Sequence, residues 1–112
     1  MSRSLGDAAE DRAAAFLAGR GYRIIERNFR AKVGEIDIVA MQGEVVVFVE
    51  VRSRAGTAFG LPQETIGRDK RRKLLRAAQV YAQARGLDCP MRFDVIAEGP
   101  GGLEHFEDAF GA

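Results

Sequence analysis

Hydrophobic residues recur at three- to four-residue spacing near the start of the chain, at Leu5, Ala9, Ala13, Phe16 and Leu17. This predicts an amphipathic helix, capped by Ser4 and ended by Gly19 and Gly21. The period then shortens to two. Tyr22 to Asn28 predicts a strand in which Tyr22, Ile24 and Glu26 alternate with Arg23, Ile25 and Arg27, followed by a loop at Phe29 to Gly34. Glu35 to Ala40 and Glu44 to Arg52, rich in β-branched residues, predict an antiparallel hairpin across Met41-Gln42-Gly43. Arg54 to Pro62 predicts a loop. A long helix then starts between Gln63 and Arg68 and ends at Gly86, with Ile66, Leu74, Ala77, Ala78 and Tyr81 on its inner face. Met91 to Glu98 and Leu103 to Phe110 predict two further strands about a Gly- and Pro-rich turn. The order αβββαββ implies an α/β fold, a mixed sheet with helices packed against it.

The hairpin carries acids where a strand tolerates them poorly. With Gln42 and Gly43 as the central turn residues, Glu35 pairs with Glu50 and Asp37 with Phe48. Side chains alternate faces along a strand, so Glu35, Asp37, Val39, Val46, Phe48, Glu50 and Arg52 share one face. Ile36, Ile38, Val45, Val47, Val49 and Val51 share the other, which is wholly apolar and reads as core. Asp37 then lies diagonal to Glu50, with alpha carbons about 7 to 8 Å apart, close enough for one hard cation between two carboxylates. A solvated acidic face is the alternative. The repulsion of Glu35 against Glu50 without a cation weighs against it.

Composition narrows the classes. The chain has 112 residues, 46% hydrophobic and 29% charged, which fits one domain over residues 1–112. The longest apolar run, Val45 to Val49, is far short of the roughly 20 residues a membrane span needs. The N-terminal residues show no apolar signal core, and a cytoplasmic location is expected. One cysteine, Cys89, and one histidine, His105, cannot make a four-ligand zinc site, so a metal would be held by oxygen. Cys89 reads as a packing residue and His105 as a surface or edge position without chemistry. No phosphate loop or dinucleotide fingerprint is present. Phe29, Phe48 and Phe59 read as core rather than as base-stacking groups.

Net charge is only +1, but its distribution is uneven. Arg68, Lys70, Arg71, Arg72, Lys73 and Arg76 crowd one helix, and Arg27 and Arg30 belong to a second basic group just before the acids. Cations near a helix start oppose the macrodipole by about 0.3 to 1 kcal/mol each, and phosphate contact is a reason for them to gather there. Lys70 shares a stripe with Ile66 and Leu74, which directs it toward the sheet.

Asp37 followed twelve residues later by Glu50-Val51-Arg52 resembles the Asp…Glu-x-Lys pattern of the PD-(D/E)xK nuclease superfamily. The chain resembles more closely the YraN-like bacterial family. That likeness runs through Arg27-Asn28, Gly34-Glu35-Ile36-Asp37, Val47 to Arg54, Phe59-Gly60, Lys70 and Ala109-Phe110. The resemblance implies a restriction-endonuclease-like fold related to Holliday-junction resolvases. It further implies a Mg²⁺- or Mn²⁺-dependent endonuclease acting on DNA, branched DNA included. On that likeness Asp37 and Glu50 are metal ligands and Glu10 an accessory catalytic acid, and Glu35 beside them is expected as a supporting or alternative acid at the metal. Arg52 departs from the usual lysine: an arginine cannot serve as a base near neutrality but can hold a phosphate. A DNA-binding module without turnover, and a protein-interaction domain, are the alternative readings. A homodimer would suit a two-fold symmetric substrate.

Overall fold

In a computed structural model of the protein, residues 5–53 and 67–110 are described. The expected Ser4 cap, the Arg54 to Pro62 loop, Phe59 and Ile66 lie outside them. Helix α1 (Leu5–Gly19) leads into strands β1 (Arg23–Ala31), β2 (Gly34–Gln42) and β3 (Val45–Ser53). Helix α2 (Arg68–Arg85) and strands β4 (Met91–Gly99) and β5 (Gly102–Phe106) complete the order αβββαββ. Gly86, at φ 60°, ends α2 in the left-handed conformation that glycine adopts without a Cβ penalty.

The five strands lie in sequence order in one mixed sheet. β1, β2 and β3 form an antiparallel meander, β3 and β4 run parallel, and β4 and β5 form an antiparallel pair. A parallel neighbour needs a crossover, which α2 supplies. Each face of the sheet is covered by a helix. Ala13 and Leu17 of α1 pack with Ile38, Ala40, Val47, Val49 and Ile96. Leu74, Ala77, Ala78 and Tyr81 of α2 pack with Ile36, Val39, Val46, Phe48, Phe93 and Val95. Both hairpin faces are therefore core, including the one on which the acids share places with Val39, Val46 and Phe48. Cys89 packs at the edge of the α2 cluster.

Four expectations are corrected. Phe29 to Gly34 is not a loop: β1 pairs with β2 as far as Ala31–Gly34, leaving Lys32-Val33 as a two-residue connection. The extension packs Phe29 edge-on against Tyr81, with ring centroids 5.1 Å apart. The β2–β3 turn is Gly43-Glu44 rather than Gln42-Gly43, because Gln42 pairs with Val45. Gly43 has φ 60°, and a hairpin turn with glycine at its first central position matches the twist of the flanking strands. The register thus moves by two residues, and Val39 rather than Asp37 faces Phe48. Finally, β5 ends at Phe106, short of Phe110, and His105, on this edge strand as expected, is not at the surface, its side chain being only 2% exposed.

Candidate functional site

A two-residue shift preserves parity, so Asp37 and Glu50 still approach one another. Their relation changes. The β2–β3 ladder ends at Ile38–Val49, and continuing it one step sets Asp37 directly across from Glu50. There the carboxylate of Asp37 takes over the role of backbone, accepting the Val51 N–H at 2.8 Å. Alternation also breaks at this level. Ile36 packs on the α2 side, as does Val39, whereas Ile38 packs on the α1 side, so one residue between Ile36 and Val39 is out of step. Across from Asp37, between the pairs Arg27–Ile38 and Phe29–Ile36, stands Asn28 at φ 57°. Both strands therefore kink at one level. A left-handed non-glycine residue inside a strand costs energy and persists only where its surroundings hold it.

Glu10 holds it. Its buried carboxylate, 5% exposed, accepts from Asn28 Nδ2 at 3.0 Å and from Arg27 Nε at 2.9 Å. Arg27 also reaches Asp11 at 2.6 Å, which makes it an ion-pair partner of α1. Burial, then the Glu50 charge, push the Asp37 carboxyl up to about 7, with the Val51 N–H opposing them and Glu10 and Glu35 adding smaller repulsions. Burial also raises Glu50, against the pull of Lys70 and Arg52 and a hydrogen bond from the Asp37 carboxyl. The Lys70 ammonium lies 3.4 Å from Glu50 Oε1, reaching across from α2. Glu35 does not face Glu50 as expected. It pairs in register with Arg30, and their charged groups stand 3.7 Å apart.

Two oxygen-donor side chains pressed together, one of them hard to ionise alone, fit a hard divalent cation. Mg²⁺ takes one or two protein carboxylates and keeps several waters. Among the described residues no set of three or more His, Cys, Asp or Glu side chains converges as ligands, and the acids that stand together here are Asp37 and Glu50. The basic residues divide by face. Arg68, Arg72 and Arg76 lie at four-residue spacing on the exposed side of α2, and Lys70 turns inward to Glu50. Arg71 is half-buried, and Lys73 is exposed beside the β1–β2 connection.

A second polar cluster is absent from the sequence expectations. Asp94 of β4, fully buried, accepts from Arg92 Nε and Nη2 at 2.8 Å, from the Asp108 N–H at 2.9 Å and from His105 at 2.7 Å. Burial pushes the Asp94 carboxyl up, but the bonds from His105, Arg92 and Asp108 outweigh it and hold it below the usual range. Being ionised, Asp94 only accepts, so His105 Nε2 carries the proton. Arg92 extends the network to Gln42 and Tyr22. An acid inside Phe93-Asp94-Val95-Ile96 is the same sequence signal that Asp37 carries.

The sheet order, the helix on each face and the element sequence define an α/β domain of the restriction-endonuclease-like type. Comparison with known proteins narrows this to a family. The chain belongs to the uncharacterised protein family UPF0102, whose family model matches residues 9–97. It is 49% identical over 117 residues to a UPF0102 protein of Moorella thermoacetica, covering 96% of each chain. A UPF0102 protein of Symbiobacterium thermophilum is 48% identical over 102 residues, covering 90% of this chain and 86% of that protein. One from Syntrophotalea carbinolica is 48% identical over 112 residues, covering 96% and 91%.

Proposed function

We propose that the protein binds DNA and hydrolyses its phosphodiester bonds with a divalent metal held by Asp37 and Glu50. The observation that carries the reading is the placement of two mutually repelling carboxyl groups, Glu50 buried and Asp37 half-buried, across one fork in the sheet, with Lys70 at their side. A structural pair would be expected to have a full complement of cations. Here burial and the Glu50 charge push the Asp37 carboxyl up to about 7, a repulsion that a cation between the two groups would relieve.

Mg²⁺ or Mn²⁺ would supply charge neutralisation at the phosphoryl oxygens and an acidified water. The chain's own groups divide the remaining work. Asp37 and Glu50 would hold the metal, while the Asp37 contact to Val51 fixes its carboxylate. Glu10 acts through Asn28 and Arg27, holding the kink that aims Asp37. Lys70 is the ammonium within reach of Glu50, in the part that the motif gives to its lysine, and Arg52 binds phosphate. Hydrolysis forms a bond from water oxygen to phosphorus and breaks one to the sugar oxygen, which leaves with a proton. The basic row Arg68, Arg72 and Arg76 contributes phosphate contacts along the strand.

A DNA-binding module without turnover is the second reading, and Arg52 at the motif's lysine position favours it. Wild type, Glu50→Gln and Arg52→Lys, incubated with branched and linear DNA in Mg²⁺ and in Mn²⁺, separate the two. Cleavage by wild type that is lost in Glu50→Gln supports the nuclease. DNA retained by both wild type and Arg52→Lys without cleavage in either metal sinks it in favour of the module.

A further inference from the structure

We propose that the connection between β1 and β2 forms, with α2, a separate docking cleft for a backbone phosphate of a nucleic-acid strand. Arg30, Lys32 and Lys73 bring three cations to an open cleft of about 300 Å³, against the single acid Glu35. Lys32 and Lys73 are exposed, and Arg30 meets Glu35 only at 3.7 Å, so positive charge dominates the opening. The remaining lining, Ala31, Val33 and Gly34, is small or apolar and adds no charge. Three lysine and arginine side chains around a shallow polar opening suit an anion with several acceptor oxygens.

Gly34 makes this shape. A Cβ added there would stand 2.6 Å from the Lys73 carbonyl oxygen and 3.0 Å from its carbon. Those are backbone atoms of a packed helix and cannot swing aside, so only glycine lets the β1–β2 connection close on α2 and bring Lys32 beside Lys73. The residue is not needed for a turn conformation, since the positive-φ glycines lie elsewhere. Close approach is its role.

The position along β2 says which phosphate. Gly34 and Asp37 are three residues apart, about 10 Å at a strand rise of about 3.3 Å per residue. A duplex advances about 3.4 Å per nucleotide, so the cleft meets a phosphate within about three nucleotide steps of one at the carboxylate pair. Lys70 and Lys73, one helical turn apart on α2, would then serve neighbouring parts of one strand. The choice of ligand rests on the nucleic-acid reading above, although no residue of the cleft belongs to the donor pair.

The test is amide NMR on the full chain in EDTA, titrated with a short single-stranded oligothymidylate and, separately, with inorganic pyrophosphate. Oligonucleotide-induced shifts should centre on Lys32, Val33, Gly34 and Lys73. Lys32→Ala/Lys73→Ala should weaken binding about tenfold and flatten the salt dependence by about 0.7 per lost contact. Gly34→Ala, which keeps every charge, should weaken it as well, with the sheet's amide pattern reporting that the fold is intact. Pyrophosphate binding without oligonucleotide binding overturns the proposal in favour of a free phosphate compound. Oligonucleotide shifts confined to other surfaces, or unchanged in the double variant, overturn it and leave the metal site standing. Asp37→Asn should keep the cleft shifts, so failure of the metal reading registers separately.

Discussion

Asp37 accepts a hydrogen bond from the Val51 backbone N–H at 2.8 Å, where the β2–β3 ladder has already ended. A side chain has replaced a main-chain carbonyl, and the two strands part around it. The fork leaves Glu50 buried against Asp37 at the point where α2 brings Lys70 in.

The carboxyl pair makes metal-free stability depend on pH. The folded chain keeps the Asp37 proton up to about 7, whereas the unfolded chain releases it near 3.8. Folded protein binds more protons across that window, so stability falls as pH rises through it and levels off above. Urea unfolding between pH 4 and 8 in EDTA should show this decline, and Asp37→Asn should flatten it. A decline of equal slope in Asp37→Asn would assign it to other groups.

Mn²⁺ should raise the urea midpoint more at pH 8 than at pH 5, because the cation needs the ionised pair. Calorimetry should find binding weakened by more than about tenfold in Asp37→Asn, a loss that even outer partners of a metal cause. Equal affinity in the two proteins would remove Asp37 from the ligand set.

Lys70→Met should lower DNA cleavage by about 10²-fold or more if the ammonium takes part in proton transfer. Retention of DNA in a gel-shift assay should change little, since one cation among many is lost. Cleavage at the wild-type rate would confine Lys70 to pairing with Glu50.

Asn28→Ala and Asn28→Gly distinguish backbone strain from side-chain bonding. Both lose the amide bond to Glu10, but only alanine also resists φ 57°, at about 1 to 2 kcal/mol. The glycine variant should therefore be the more stable of the two in urea. Equal midpoints would mean that the kink relaxes when Glu10 lets go.

Asp94→Asn should cost about 3 to 5 kcal/mol, because Arg92 would remain half-buried without its carboxylate. Asp94 sits below its ordinary value, so its stabilisation is present above pH 4 or so and lost as pH falls through the folded value. A variant as stable as wild type at pH 7 and at pH 3 would show that the cluster contributes nothing.

Alternation and helical period are local properties, and they were enough to read the element order, the core positions of α2 and the common approach of Asp37 and Glu50 from sequence. Lys70 was legible for the same reason, sharing a stripe with Leu74. The identical signal at Asp94, an acid among apolar strand residues, is not legible as a cluster because, although Arg92 is its neighbour on β4, His105 and Asp108 reach it only when β5 folds back on β4.

The sequence by itself determined which residues could be inside and which acids had no comfortable place in a strand, since those follow from chemistry and nearest neighbours. The tertiary structure decided the rest. The Gly43 turn set the register by its backbone conformation, Glu10 on α1 held the kink opposite Asp37, and the close approach at Gly34 brought Lys73 to the β1–β2 connection. The turn is local, but Glu10 and Gly34 act through contacts between different elements, whose geometry exists only once the helices have packed against the sheet.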